Sequence, residues 1–417
     1  MAAAVSRSQM NGWYKIRYGE KNNLLPESAQ LQRDFPFEKR AKVGKSYNEP
    51  VKLRASHGVT FKGGANIGTV YDLQSPISPQ WEEASIQGTE ITLREQIAVG
   101  AIAAAVRGEG SFGDVVDETV LGLDESHRFY LEAGMIYGGS SIGEIESVSG
   151  SGTTRTWIIK KASWAPGLWA YAEGMKIDCY STVGGTLRTT SGATITSIDP
   201  DARSIVVTGV DAELTNCVAN DVLEFYLADG QLFAGFDKVI TNTGSLHGIS
   251  AATYMHWKGS VFDAQNSALT MGMLGRATTR ATVRGLRGEF RWYVNTFSWN
   301  DLQENENALR RYAESTGREY VQGADEIAFK GTNGSKVSIR AHEMIKAGEA
   351  FGVQPKSWLR GGECDLTDDV DGTNKNFFHE VPGKSGREYR NFSSQFFLCR
   401  APSRQVKIKN IVSPGLA

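Results

Sequence analysis

From residue 1 to about residue 88, apolar positions follow no sustained helical period. A basic leading stretch gives way to alternation in Val51-Lys-Leu-Arg-Ala-Ser-His57, a glycine-rich tip at Lys62-Gly-Gly-Ala-Asn-Ile-Gly68, and a return through Thr69–Ser75. Alternation on either side of such a tip predicts a long two-stranded excursion. A ribbon of this kind buries little apolar surface by itself, and its unpaired edges invite another chain. The pattern points to an assembling protein rather than a self-contained enzyme.

The pattern then changes. Glu90 to Val99 alternates before becoming continuously apolar, and a strand entering a buried segment is expected, although Thr92 and Glu95 also fit a capping box. Asp114 to Tyr137 carries Val116, Val120, Leu123, His127, Tyr130, Leu131, Gly134 and Met135 at spacings near three and four. Asp114, Asp117 and Glu118 lie in its first turns, where the helix dipole favours anions, and Gly138-Gly139 ends it. This predicts an amphipathic helix of about 35 Å. From Gly143 to Gly230 short alternating runs such as Thr156–Lys160, Ala193–Ile198, Ser204–Thr208 and Val222–Leu227 are separated by turn residues, as in a small barrel or sandwich. Its Gly/Ser-rich borders mark it as an insertion. Helical patterns return at Ala251–Met255, Ala264–Thr282 (with Arg276 and Arg280 near one face) and Trp299–Tyr312, with a strand at Glu289–Val294 between them. The tail alternates again at Gln395–Cys399 and Gln405–Ile411.

Composition narrows the class. The chain has 417 residues, 40% of them hydrophobic, enough for sizeable cores. Its longest apolar run, Ile97–Val106, is too short to span a bilayer, so no membrane association is expected. Met-Ala-Ala-Ala-Val-Ser-Arg-Ser lacks the apolar core of a signal peptide, which predicts a protein made and kept in a cytoplasm. Cys179, Cys217, Cys364 and Cys399 are widely spaced and predict free thiols rather than disulfides or a zinc site. The net charge of −2 hides an asymmetry: residues 1–62 hold 12 Lys/Arg against 5 Asp/Glu, residues 373–417 hold 8 against 2, and the middle holds 25 against 40. Basic ends around an acidic middle suit pairing between subunits or a positive face toward nucleic acid.

Candidate chemistry is sparse. Gly108–Gly113 matches GxGxxG, but the acidic helix start repels phosphate and no second parallel strand is predicted after the helix. Gly139–Gly143 matches GxSxG around Ser141, with His247, His342 and Asp237 as conceivable partners, yet the order helix, turn, strand is wrong for a nucleophile elbow. Asp365–Gly372 fails the calcium-loop register, with Thr367 and Phe378 at its first and twelfth positions. The histidines lie singly, and tryptophans such as Trp164, Trp169, Trp257, Trp292, Trp299 and Trp358 read as core or interface anchors. No catalytic, cofactor-binding or metal-binding residue is nominated.

In the order of its elements the chain resembles the major capsid proteins of tailed bacteriophages, which share the Hong Kong 97-type fold. Met135-Ile-Tyr-Gly-Gly139, Ala347–Trp358 and Arg400-Ala-Pro-Ser-Arg-Gln-Val-Lys-Ile408 have the texture of that family. The resemblance implies an α+β fold: an N-terminal arm (1–42), an E-loop (43–88), a P-domain (89–143) with a spine helix (114–137), an inserted β-rich domain (144–230), an A-domain (231–365), and a loop with return to the P-domain (366–417), closed by a strand over Phe396–Ile411. It further implies a homo-oligomer of hexamers and pentamers enclosing double-stranded DNA in a virion assembled in the host cytoplasm. Portal, scaffolding and decoration proteins are the implied partners. Intersubunit contact is then expected from Lys52, Arg54, Lys62, Asn66, Tyr71 and Trp81. Some relatives join an E-loop lysine to a neighbour's asparagine, and Lys45, Lys52 and Lys62 qualify by position alone. The rival readings are an encapsulin-like shell, another virion part, and a β-rich carbohydrate-active enzyme, which would need a carboxylate pair that the sequence does not single out.

Overall fold

The computed structural model describes residues 29–62, 68, 70–98, 113–170, 172–310, 327–331, 334–367 and 379–415, with side chains described except at 113–119 and 305–310. The first 28 residues, Asn66, the GxGxxG stretch up to Phe112 and the acidic residues 368–372 fall outside these.

The chain enters through a short helix, α1 (Gln30–Asp34), and a strand, β1 (Phe37–Lys39). A long ribbon follows, β2 (Tyr47–Arg54) against β3 (Gln80–Ile86), and then β4 (Thr89–Ala98) and the long helix α2 (Gly113–Tyr137). Six strands, β5 (Gly143–Ser151), β6 (Thr154–Ile159), β7 (Lys176–Tyr180), β8 (Ala193–Asp199), β9 (Ser204–Thr208) and β10 (Val222–Phe225), close into a barrel. Beyond it lie α3 (Phe236–Thr241), a small hairpin of β11 (Ser245–Leu246) and β12 (Ile249–Ser250), β13 (Ser260–Ser267), α4 (Met271–Val283), β14 (Phe290–Val294) and α5 (Thr296–Arg310). The remaining strands are β15 (Ile327–Lys330), β16 (Lys336–Ala341), β17 (Ala350–Val353), β18 (Trp358–Thr367), β19 (His379–Glu380), β20 (Gly386–Cys399) and β21 (Val406–Ile411).

Two sheets and the barrel meet around α2. One sheet runs β1-β18-β20-β19 with β4 on β20; the other runs β13-β21-β17-β14-β16-β15. The expected closing strand over 396–411 is therefore two strands in two sheets. Arg400-Ala-Pro-Ser-Arg404 breaks it: Pro402 opens a 3-10 turn, and the chain crosses from the first sheet to the second. The barrel matches the alternating runs read between Gly143 and Gly230, and β4 matches the strand expected over Glu90–Val99.

Two helical expectations fail for stated reasons. Residues 251–255 form no α-helix, because Trp257 is buried and its Nε1 donates to the Leu246 carbonyl (2.9 Å), folding the segment into a turn under β11-β12. Residues 264–267 belong to β13, which pairs in parallel with β21; the helix starts only after Thr270, whose Oγ1 accepts from the Met273 amide (3.3 Å) as N-cap.

The end of α2 shows why so much of the chain converges there. Its middle is one-sided, but residues 131–137 are buried all round. Gly138 stops the helix where a Cβ would lie 2.1 Å from the Phe233 carbonyl oxygen, and Gly139 takes φ +68°. An aromatic core of Phe35, Phe236, Phe351, Trp358 and Phe397 packs beside it. Phe35 comes from the segment expected to be a free arm. In fact α1 is docked: Glu132, fully buried, accepts from the Leu31 (2.5 Å) and Gln32 (3.2 Å) amides, and Asp34 pairs with Arg291 (2.7 Å) and Arg340 (2.8 Å).

A buried ion cluster ties α3 to β21 beneath the helix end. Lys407 Nζ bridges Asp237 (2.5 Å) and Glu349 (2.7 Å), while Ser140 Oγ donates to the other oxygen of Asp237 (2.5 Å). Burial opposes the Lys407 charge, but Glu349 and Asp237 outweigh it and hold the ammonium above the usual lysine range. The basic tail thus spends Lys407 inside its own chain, and Arg400 on Glu49 (3.2 Å) likewise. Lys407→Met should cost about 3–5 kcal/mol, because it strands two carboxylates in a dry site; the denaturant midpoint of the purified protein measures this.

Candidate interaction surface

The two-stranded ribbon has a buried root and an exposed far half. At the root Tyr47 stacks on Phe396 (centroids 4.4 Å apart), and Tyr47 and Ile86 join Leu359 and Leu398 in one cluster. On the same face, Val51 and Leu53 pack with Ala84 against Ile249, Ala251 and Trp257. The Ser85 amide donates to the His247 carbonyl (3.0 Å), and Gln80 Nε2 donates to Tyr254 Oη (2.5 Å). The β11-β12 hairpin is therefore the support of the ribbon, a role its short polar sequence does not announce.

Alternation sends Lys52, Arg54 and Trp81 to the opposite, outward face. Lys52 faces Trp81 across the ribbon with its ammonium 5.7 Å from the indole, and Arg54 Nη2 reaches the Ser78 carbonyl (3.4 Å). Past a bridge between His57 and Ile77, whose amides exchange hydrogen bonds of 3.0 and 2.7 Å, Lys62 lies 4.5 Å over the Tyr71 ring. The expected contact residues thus form two cation–aromatic pairs at separate stations along the ribbon, with Arg54 beside the first. Asn66 lies outside the described residues.

The sequence reading missed what lies between those stations. Phe61 is 91% exposed and Leu73 75%, and Val59, Val70 and Ile77 are exposed with them. Large apolar side chains left this bare on a thin ribbon have no core of their own to cover them. Their signal was present in Val59-Thr-Phe61 and Val70-Tyr-Asp-Leu73, which have no facing core.

The other nominated groups do not assemble into a reactive site. Ser141 receives Lys346 Nζ on its carbonyl (2.7 Å), Asp237 is held by Ser140 and Lys407, and His342 Nε2 sits on Glu132 (3.1 Å). Among the described residues no cluster of three metal-ligating side chains occurs, and all four cysteines are free. Of the tryptophans, Trp164, Trp169, Trp257, Trp292 and Trp358 are core residues.

No family model matches the sequence, and no curated protein does. Solved structures do match. The capsid asymmetric unit of cyanophage A-1(L) aligns over 94% of this chain and 95% of its own, with TM-score 0.55 and 9% identity. The capsid of a native GTA particle covers 95% of each chain at TM-score 0.46 and 10% identity, and the holo-SrpI encapsulin of Synechococcus elongatus covers 99% and 98% at 0.45 and 7%. The chain has the Hong Kong 97-type fold of phage capsid proteins, elaborated with a closed β-barrel.

The support of the ribbon carries a built-in acid sensitivity. Burial lowers the His247 imidazole to about 4 from its ordinary 6.5, and its Nε2 is buried with no partner among the described residues. A lowered base is neutral in the fold but charged once released below 6.5, so stability is full above that value and declines as pH falls toward 4. Hydrogen exchange at the Ser85 amide should quicken over that interval, after correction for intrinsic rates, and His247→Asn should flatten the response.

Proposed function

We propose that the protein is a major capsid protein: a structural subunit, not an enzyme, that assembles into hexamers and pentamers of an icosahedral shell around double-stranded DNA. The observation that carries this reading is the ribbon with its apolar far half, set on a Hong Kong 97-type body that aligns nearly end to end with a cyanophage capsid subunit. Residues 43–88 act as the E-loop, with Lys52, Arg54, Lys62, Asn66, Tyr71 and Trp81 and the exposed Val59, Phe61, Val70 and Leu73 laid on a neighbouring copy.

In this reading residues 1–42 are the arm. Residues 89–143 form the P-domain, with the spine helix over 114–137. Residues 144–230 are an inserted domain, 231–365 the A-domain, and 366–417 the loop and return. Assembly takes place in the host cytoplasm with portal and scaffolding proteins, and decoration proteins have the barrel's outer face within reach. Positive side chains on the inner wall meet nucleic acid through charge rather than sequence.

The test is electron microscopy of the expressed full chain and of a variant in which residues 58–76 are replaced by a two-residue turn. Wild type should give capsomers or shells. The variant should keep its circular dichroism spectrum, because the root at 47–54 and 80–86 is retained, and remain dispersed subunits. Discrete wild-type monomers over a wide concentration range would overturn the proposal. Native particles that hold a protein cargo and no DNA would replace it with an encapsulin-like role. A milder pair, Phe61→Ser with Leu73→Ser, should raise the concentration needed for assembly at least about tenfold, the worth of burying two such side chains incompletely.

A further inference from the structure

A cavity of about 510 Å³ opens where the end of α3, the start of β13 and the last turn of α4 come together. Three cations, Lys258, Arg280 and Arg284, line it, and no carboxylate does. Among the described residues none of the three has a carboxylate within ion-pair distance, unlike Arg291, Arg340 and Lys407 elsewhere in the molecule. The arginines are preset: Arg280 Nη1 donates to the Val261 carbonyl (2.9 Å) with its guanidinium 4.8 Å over Phe262, and Arg284 Nη1 donates to the Gly259 carbonyl (3.0 Å). Each fork keeps further N–H groups for a ligand.

The carbonyls at the end of α4 do not use up the cations, because the Arg284, Gly285 and Leu286 amides already bond to Ala281 and Thr282. Among the described residues the site also borders a free strand edge, since β13 pairs there only with β21.

We propose that this cavity is a phosphate-binding site, in which Arg280, Arg284 and Lys258 neutralise the anion. Three cations fit a tetrahedral, multiply charged oxyanion better than a single carboxylate. Its source is either a free phosphate ion or the phosphodiester of a nucleic acid, and the inference stands apart from the assembly reading.

The test is isothermal titration of the full chain with inorganic phosphate at fixed ionic strength. Wild type should bind one phosphate per chain, with Arg284→Gln and Lys258→Gln each weakening binding about tenfold and the Arg280→Gln/Arg284→Gln double variant about a hundredfold. Arg287→Gln, an exposed change outside the cavity, should leave binding unaltered. Circular dichroism confirms that each variant is folded. Wild type without saturable uptake, or a folded double variant that binds as well as wild type, would overturn the proposal. A short DNA duplex that displaces phosphate at matched ionic strength assigns the phosphodiester as the source; failure to displace it assigns the free ion.

Discussion

A helix end buried on all sides is a demanding thing to build, and the rest of this molecule is arranged around one. The last carbonyls of a helix have no partner within it, and in a dry interior each must find one or cost the fold dearly. At Tyr137 the solution is two glycines, the Gly134 carbonyl taking the Gly138 amide (2.8 Å) and the Gly138 carbonyl taking the Gly235 amide (2.9 Å). Backbone approaching backbone this closely leaves no room for a Cβ at either Gly138 or Gly235. With that junction set, α3 starts at the very next residue, Phe236, and Asp237 falls where Lys407 reaches it.

The same junction explains why charge sits inside. Glu132 and Asp34 hold α1, and Lys407 holds α3 to β21, each through charged contacts between segments far apart in sequence, buried at Glu132 and Lys407 and half-buried at Asp34. Such contacts are poor sources of net stability but unforgiving of misplacement. They fix which segments meet, while Phe35, Phe236 and Phe397 supply the apolar contact.

How much of this was legible in the sequence depended on whether a feature was local. The spacing of Leu123, His127 and Leu131 revealed α2, the Gly138-Gly139 pair its end, and the alternating runs from Thr156 to Leu227 the barrel. Hidden were features set by partners far away. The residues before β1 looked unable to fold, but Leu31 and Phe35 are core residues whose pocket is made by α2 and β20. Ala264 looked helical because alanine is, yet β21, more than a hundred residues on, recruits it into a sheet. For the surface itself, the alternation in Val51–His57 put Lys52 and Arg54 on one face, whereas the exposure of Phe61 and Leu73 became visible only once nothing was found opposite them.

The barrel invites one more reading. Its last strand pairs with its first, Leu223 opposite Gly143, so the chain re-enters the body one strand spacing from where it left. A closed barrel has no free edge, yet its core of Trp157, Ile177, Ile195, Val207 and Leu223 runs on into that of the body, with Tyr130 of α2 edge-on to Phe225. The segment between β6 and β7 is tied to the body as well: the Ala347 and Gly348 amides donate to the Trp164 and Ala162 carbonyls, and the Gly167 amide to the Glu343 carbonyl. Cutting the barrel out would therefore open the core beneath α2 and strip two buried amides of their acceptors, so the fold carries it as a keystone and not as a passenger.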